Sequence, residues 1–138
     1  MKKITSHGLE IMATDGLANR NLELHLYTND FTPGNDGTFV EGDFTELDIA
    51  GYASETLEST AWEFSTDDRA GYPIIVATQP QVDFTFTDST AATIRGWYAV
   101  STDGTVAWAE RLSPDASFPS GSGTLSINPR HVFGVEEE

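Results

Sequence analysis

The chain has no cysteine, so disulfide frameworks, thiolate metal sites and cysteine nucleophiles are all excluded. Lysine is almost as scarce, because Lys2 and Lys3 are the only lysines and five arginines supply the remaining basic residues. These seven basic residues face 22 acids, and the net charge is −15. Phosphate groups are bound by clustered lysine and arginine. Neither nucleic acid nor an anionic membrane surface is therefore expected as a partner.

Long apolar runs are also missing, and no segment is long enough to cross a bilayer as a helix. The N-terminus MKKITSHGLE begins with positive residues but lacks the apolar core of a signal peptide, so secretion by that route is not expected. The 138 residues are 38% hydrophobic and 11% aromatic, which suffices for one core. We expect a single domain over residues 1–138.

Helical spacing is visible in one segment near the N-terminus. Apolar and small residues recur at the spacing of one helix face from Leu9 to Leu17, and Ser6 is a candidate N-cap. This pattern predicts a short helix over about 6–17. The other end of the chain, 135–138, is predicted to be a flexible acidic tail.

Most of the remaining chain has the patterns of strands and turns. Leucine at every second position of NLELHLYTN (21–29) predicts a half-buried strand, with Glu23, His25 and Tyr27 on its other face. QVDFTFTD (81–88) alternates in the same way. It predicts a strand that buries its valine and its two phenylalanines.

Shorter signals complete the pattern. Thr45 and Asp48 have the spacing of a capping box, which predicts one helical turn before a strand over 50–57. Further strands are predicted from Trp62, over 72–78 and, as the last strand, at GTLSINP (123–129). Two segments are interpreted as a loop and a flexible linker, respectively STDDRAGYP (65–73) and SPDASFPSGSG (113–123).

The clearest local signal is RGWYAVSTDGTVAWAERL (95–112), two strand-like runs joined by Asp103 and Gly104. Asp-Gly favours a two-residue type I′ turn, because both central positions need positive φ. The turn predicts three cross-strand pairs, which are Trp97 with Glu110, Tyr98 with Ala109, and Ala99 with Trp108. Apolar residues lie on both faces of this hairpin, which favours a central position in a sheet.

The short strands, the regular turns and the one leading helix together indicate the fold class. They predict a mainly β protein, either a β-sandwich or a jelly roll, with a short N-terminal helix. An immunoglobulin-like sandwich fits the same pattern, so the topology stays open at this point.

Two loops could carry chemistry, and neither has the required spacing. Asn29, Asp30, Asn35 and Asp36 offer ligands for calcium, but no register gives the spacing of an EF-hand loop. A turn is the preferred interpretation. The serine of the GSG segment (121–123) lacks the glycine two positions earlier that a nucleophile elbow needs. We predict no cofactor and no metal.

The histidines and carboxylates give no catalytic pattern. The three histidines share no metal-binding spacing and are interpreted as surface or interface residues, namely His7, His25 and His131. Glu23, Glu46 and Glu110 could form a glycosidase pair, yet a chain with 22 acids always contains suggestive pairs. We therefore predict that the protein is not an enzyme.

The aromatic residues of the predicted hairpin have two interpretations. Trp97, Tyr98 and Trp108 could stack on a sugar, as in a carbohydrate-binding module. Aromatic residues at one point of a small sheet are more often part of the core, because each buries a large area. Core packing is preferred, and carbohydrate binding stays an alternative. Glu110 and Arg111 beside them are interpreted as a strand-end or interface pair.

Two stretches, LELHLYTNDFTP (22–33) and DFTELDIAGYASETL (43–57), resemble a family of small structural proteins of tailed-phage virions. The shared pattern is a strand ending in a hydrophobic-Asn-Asp-x-Thr-Pro turn, then a Phe-Thr-Glu segment and a Gly-Tyr-Ala strand start. The segment 96–112 and a closing strand before NPR also match, so the resemblance covers most of the chain. The pattern falls on Asn29, Asp30, Thr32, Pro33, Phe44, Thr45, Glu46, Gly51 and Tyr52, with Asp103 and Gly104 in the later hairpin turn.

The resemblance implies a virion structural protein without catalytic residues. A capsid decoration or cement protein on the head surface is the favoured role, with assembly in the host cytoplasm. Its expected partners are copies of itself, as a homotrimer, and the major capsid protein or other virion proteins. A tail, baseplate or fibre protein is the alternative within the same class.

The motif itself is interpreted as architecture and not as a site. Gly51 would let the chain change direction where a helical turn meets a strand. Tyr52 would fill the gap at this bend, and the neighbouring acids would be solvated.

Overall fold

The structure, a computed structural model, describes residues 20–34, 39–69, 72–87, 91–102, 104–119 and 122–134. These residues form nine strands and two 3-10 turns and contain no α-helix, so the protein is mainly β, as predicted. The strands are β1 (Leu22–Tyr27), β2 (Glu55–Leu57), β3 (Glu63–Arg69), β4 (Tyr72–Thr78), β5 (Val82–Thr87), β6 (Ala92–Ser101), β7 (Val106–Phe118), β8 (Ser122–Ile127) and β9 (Arg130–Gly134). The 3-10 turns are Glu41–Asp43 and Ser59–Ala61. The helix predicted over 6–17 and the acidic tail 135–138 lie outside the described residues.

The chain divides into two compact units. The first contains the described residues of 58–82 and 127–134, together with Arg20 and Asn21. The second contains the described residues of 22–57 and 83–126. The single domain expected over 1–138 stays a prediction.

The first unit holds a three-stranded antiparallel sheet in the order β3-β4-β9. Strand β4 is central and has the predicted span. Its residues 74–77 are all buried, which is typical of a strand covered on both faces. The unbroken apolar run Ile-Ile-Val-Ala is therefore explained by burial of both faces of β4.

Two predictions for this unit are wrong. Residues 65–69 belong to β3 and not to a loop, because β3 pairs with β4 from Glu63 opposite Thr78 to Arg69 opposite Tyr72. Backbone pairing with an apolar neighbour thus holds a polar sequence in strand form. The strand at GTLSINP is also not the last one, since β9 follows it and pairs with β4.

The second unit is built on a four-stranded antiparallel sheet in the order β2-β1-β6-β7. Strand β1 lies between β2 and β6, and Glu23 is its one exposed residue. The strand predicted here is confirmed, but its half-buried character is wrong, because His25 and Tyr27 are buried like the leucines. Tyr98 lies opposite His25 on β6 and stacks on its ring, which shields that face from water.

The β6–β7 hairpin confirms the predicted register, with Trp97 opposite Glu110, Tyr98 opposite Ala109, and Ala99 opposite Trp108. Its turn differs from the predicted one because the register shifts between Ala99 and Val100. The N–H of Ser101 donates to the carbonyl of Thr105 (2.9 Å), and the N–H of Gly104 donates to the carbonyl of Ser101 (3.0 Å). The loop is thus three residues long, with Gly104 at φ +87°.

Strand β7 is longer than the sequence predicts. It continues through residues 113–118, where a flexible linker was expected, and pairs with the start of β6 from Ile94 opposite Ala116 to Ala92 opposite Phe118. The linker prediction is wrong because the ten-residue β6 offers backbone partners to this serine-rich and proline-containing segment. Strand β6 is central, as predicted for the hairpin, whereas β7 ends the order of the described sheet.

Strands β5 and β8 pair with each other in the same unit. Oγ1 of Thr85 lies 3.3 Å from Oγ1 of Thr124, and Asp83 accepts a hydrogen bond from Ser126 (2.6 Å). The residue numbers fall along β5 as they rise along β8, so the two strands are antiparallel. The phenylalanines of β5 are buried, as predicted, and Phe86 packs edge-on against Phe118 of β7 with 5.3 Å between ring centroids. The arrangement is consistent with a β-sandwich.

Candidate functional site

Residues 44–57, which include five residues of the pattern described above, run along the outer edge of β1. The N–H of Thr28 donates to the carbonyl of Thr45, and the N–H of Leu47 donates to the carbonyl of Leu26, both at 2.9 Å. Further on, β2 pairs with the first half of β1. One segment therefore covers the same edge twice, with a detour over 48–54 between the two contacts.

The helical turn predicted from Thr45 to Asp48 is wrong. Residues 45–47 are extended along β1, and the helical turn lies earlier, at Glu41–Asp43. The carboxylate of Asp43 accepts from the N–H of Val40 at 2.9 Å. This contact fixes the start of the 3-10 turn, because it satisfies an N–H that the turn leaves open.

A tight turn at Gly51 starts the return of the chain. The N–H of Tyr52 donates to the carbonyl of Ile49 (3.2 Å), and Gly51 has φ +86°, as the third residue of a type II turn requires. A Cβ at Gly51 would lie 2.7 Å from Oγ1 and 2.9 Å from N of Thr87. Gly51 thus gives a change of direction, although it joins two extended segments and not a helical turn to a strand.

Tyr52 fills the gap that the detour opens at the edge of β1. Its hydroxyl accepts from the N–H of Leu26 (3.1 Å) and donates to Oε2 of Glu46 (2.7 Å). Without the hydroxyl, the N–H of Leu26 would lose this acceptor in a part-buried place. This hydrogen bond with Leu26 explains how Tyr52 fills the gap, as expected from the sequence.

His25 joins the same cluster from β1. Its Nδ1 lies 2.6 Å from Oε2 of Glu46, its ring stacks on Tyr98 at 5.0 Å, and its Nε2 lies 3.6 Å from Oε2 of Glu23. His25 is only 9% exposed, so its interpretation as a surface residue is wrong. The expectation that Glu46 merely solvates the outside is also wrong, because this carboxylate holds His25 and Tyr52 together.

The donors and acceptors in this cluster can be assigned from the contacts of Tyr52 and Glu46. The hydroxyl proton of Tyr52 goes to Glu46, because the oxygen already accepts from Leu26. An ionised carboxylate oxygen, such as Oε2 of Glu46, only accepts hydrogen bonds. Nδ1 of His25 is therefore the donor in its 2.6 Å contact, and Nε2 is the nitrogen that faces Glu23.

An aromatic stack continues this cluster into the core. The ring of Phe44 lies parallel to that of Tyr98 at 4.4 Å, and Tyr27 meets Phe44 edge-on at 5.0 Å. Burial raises the pKa of Tyr98, and the negative charge of Glu46 raises it further. Burial likewise raises the pKa of Tyr52 well above its ordinary value. Phe44 of the shared pattern is thus a core residue.

The Asn-Asp-x-Thr-Pro turn is tied to its neighbours by side chains. Asn29 bridges residues 43 and 45, since its Nδ2 donates to the carbonyl of Asp43 (2.9 Å) and its Oδ1 accepts from the N–H of Thr45 (2.8 Å). Oδ1 of Asp30 lies 2.6 Å from Nη1 of Arg111, which also reaches Oγ1 of Thr32 at 3.4 Å. Pro33 follows as a half-buried residue.

Arg111 belongs to a second polar cluster, which joins β6, β7 and the turn after β1. Arg95 donates from Nε to the carbonyl of Thr28 and from Nη1 to Asp115, both at 2.9 Å. Nε of Arg111 lies 3.6 Å from the same Asp115. The strand-end pair predicted for Glu110 and Arg111 is replaced by these contacts of Arg111 with Asp30 and Asp115.

Other candidate residues take different positions. Trp97 and Tyr98 are in the core, as preferred, whereas Trp108 is half-buried. Glu23 and Glu46 both approach His25, while Glu110 is an exposed residue of β7. Asn35, Asp36, Asp103 and His7 lie outside the described residues, as does the side chain of His131.

The cluster of His25, Glu46 and Tyr52 was missed by the sequence analysis. His25 and Glu46 are 21 positions apart, and only the pairing of residues 45–47 with β1 brings them together. The one available signal was the alternation in NLELHLYTN, which puts Glu23 and His25 on one face of a strand.

In the ranges that the structure describes, no group of three or more metal-binding side chains is present. The same part of the chain has no helix with the length and apolar character of a membrane span. Compared with known proteins, the chain matches no family description, no curated sequence and no solved structure.

Proposed function

We propose that this chain is a structural protein of a tailed-virus particle and that it decorates and stabilises the head surface. The observation that carries the proposal is that residues of the virion-protein pattern make contacts within the fold. Asn29 and Tyr52 satisfy backbone groups, Phe44 lies in the core, and Asp30 binds Arg111. Residues that build a fold in this way suit a protein whose role is to bind neighbours.

The proposed partners are other copies of this chain and the major capsid protein. A net charge of −15 suits a surface that faces solvent and does not touch the packaged nucleic acid. The proposed location is the virion, after assembly in the host cytoplasm.

Quantitative mass spectrometry of purified particles of the encoding virus tests the role. A copy number close to that of the major capsid protein supports head decoration. A few copies per particle would favour a tail, baseplate or fibre protein instead. Absence of the chain from washed particles would contradict both structural roles.

A depletion experiment separates decoration from passive attachment. Particles that lack the chain should lose their packaged genome at a lower temperature than complete particles. Adding back the purified chain should restore the original temperature. No difference between depleted and complete particles would contradict a stabilising role.

Carbohydrate binding has no observation in its favour at the hairpin. Trp97 and Tyr98 are 3% and 2% exposed, so neither can offer a ring face to a sugar in this arrangement. Glycosidase activity is tested by replacing Glu46 or Glu110 with glutamine. Under the proposal, a screen against glycans finds no turnover that either change abolishes.

A further inference from the structure

We infer that Nε2 of His25 and the carboxylate of Glu23 form an open binding site for a divalent transition metal such as Zn²⁺ or Cu²⁺, oriented by Glu46. This inference goes beyond the proposed structural role, is independent of it, and departs from the expectation of no metal that the sequence alone suggested. Imidazole nitrogen with carboxylate oxygen is a ligand set that such ions accept. Water would fill the remaining coordination positions.

The distance between the two ligand atoms supports the site. Nε2 of His25 and Oε2 of Glu23 are 3.6 Å apart, which is too long for a good hydrogen bond. Two ligand atoms that each lie about 2.1 Å from a tetrahedral metal are about 3.4 Å from each other. One ion therefore fits between these two atoms with only a small side-chain adjustment.

Glu46 prepares His25 for this role. Its carboxylate accepts a hydrogen bond from Nδ1–H of His25 at 2.6 Å, so Nε2 is the nitrogen that can coordinate a metal. Histidine ligands of metals usually donate their other ring N–H to a carboxylate or carbonyl in this way. Tyr52 holds the same oxygen of Glu46 at 2.7 Å, and Tyr98 stacks on the His25 ring, so the ring orientation is fixed from two sides.

The exposure of the two ligands gives an entry path. The side chain of His25 is 11% exposed and that of Glu23 is 58% exposed, so an ion would arrive from the side of Glu23. The two residues stand at positions i and i+2 of β1 and share one face of the sheet. A pair of protein ligands is fewer than the three or four of dedicated zinc sites, and the site is accordingly open.

Calorimetric titration of the full chain with Zn²⁺ tests the site, with four variants beside the parent. We expect His25→Gln to weaken specific Zn²⁺ binding more than tenfold and Glu23→Gln to weaken it as well. Glu46→Gln should weaken it by about 10–100-fold, as loss of an orienting carboxylate does. Glu55→Gln removes an exposed acid that lies opposite Leu24 on β2, and its affinity for Zn²⁺ should equal that of the parent.

Nuclear magnetic resonance of the parent chain gives a test that needs no variant. The ring nitrogens of His25 should identify Nδ1 as protonated before metal is added, and Zn²⁺ should shift Nε2 strongly. Cu²⁺ should give a paramagnetic resonance spectrum with nitrogen coupling that disappears in His25→Gln. His25 signals that do not respond to saturating Zn²⁺, or equal affinities of the parent and His25→Gln, would overturn the inference. Equal affinities of the parent and Glu46→Gln would overturn the orienting role.

Discussion

Two separate features of the fold require glycine at position 51, namely a positive φ and the close approach of Thr87. Its φ of +86° lies in the region that L side chains rarely adopt, and Thr87 occupies the space where a Cβ would stand. Gly104 has nearly the same φ, +87°, but nothing lies within 4 Å of its Cβ position. The two glycines therefore separate backbone strain from steric exclusion.

We expect Gly51→Ala to destabilise the fold more than Gly104→Ala does. Both changes introduce backbone strain of about 1–3 kcal/mol, and only Gly51→Ala adds a clash with Thr87. Gly51→Val should be worse still, whereas Glu55→Gln should change stability by less than about 0.5 kcal/mol. Chemical unfolding of the four variants measures these differences. Equal losses for the two alanine variants would contradict the steric argument.

The hydroxyl of Tyr52 is a second single-residue contribution to the stability of the fold. Tyr52→Phe keeps the ring and leaves the N–H of Leu26 without this acceptor, which should lower the free energy of unfolding by about 1–3 kcal/mol. Hydrogen exchange at the Leu26 amide should become faster. The amide of Leu24, in the part of β1 paired with β2, serves as the control and should change only with global stability. Unchanged exchange at Leu26 would show that Tyr52 is not its acceptor in solution.

At the scale of elements, the side chains of the two polar clusters add contacts between segments that the backbone hydrogen bonds alone do not provide. Glu46 ties the edge segment to β1, and Arg111 ties the turn after β1 to β7. The hydrogen bond from Arg111 lowers the pKa of Asp30 below its ordinary value of 3.8. The charge of Asp30 is therefore more favourable in the folded chain than in the unfolded one.

We predict that the contribution of the Asp30–Arg111 ion pair to stability is lost at acidic pH. Because the pKa of Asp30 is lowered by folding, its contribution to stability is present above pH 3.8 and is lost as the pH falls through the folded value. At pH 7, Asp30→Asn should melt below the parent, and the gap should narrow at pH 3. Asp48→Asn, at another exposed position, is the control. A gap that stays constant from pH 7 to pH 3 would contradict the assignment.

At the scale of the whole molecule, the raised pKa values of two tyrosines should lower the stability of the fold at alkaline pH. Burial raises the pKa of Tyr52 and Tyr98 far above 10.0, so the folded chain keeps both phenols neutral. Their contribution is fully present below pH 10 and is lost as the pH rises, because the unfolded chain then releases protons that the folded chain retains. Absorbance near 295 nm should show that at least two of the four tyrosines ionise only on unfolding. Ionisation of all four before the loss of β-structure would contradict this.

Self-association is the whole-molecule expectation that follows from the proposed role. Residues 96–101 of β6 are all buried, so the apolar residues of this strand no longer motivate an interface. The homotrimer therefore rests on the proposed decoration role, since closed symmetric oligomers suit repeated surfaces. Light scattering over a concentration series should give a mass of three chains. A strict monomer, both alone and on particles, would contradict the prediction.

The sequence by itself determined the β class, the strand β4, the inward phenylalanines of β5 and the pairing of β6 with β7. Each of these depends on residues that are close in the chain, through alternation, apolar runs or a turn, and such local signals survive folding. The sequence also marked Gly51 and Tyr52 as a bend and its filling. It could not specify the partners of Tyr52.

Tertiary structure alone decided the burial of His25, its contact with Glu46 and the strand form of residues 65–69 and 113–118. In each case a second segment supplies the partner, as Tyr98 does for the His25 ring and the next strand, β4, does for β3. A polar or proline-containing segment becomes a strand when a neighbour offers its backbone, and a histidine becomes buried when a carboxylate and a ring receive it. Alternation and apolar runs do not contain that information, because the free energy of these contacts arises only when a second segment meets the first. Glu46 is 21 positions from His25, and the residues of β4 are 3–15 positions from their partners in β3.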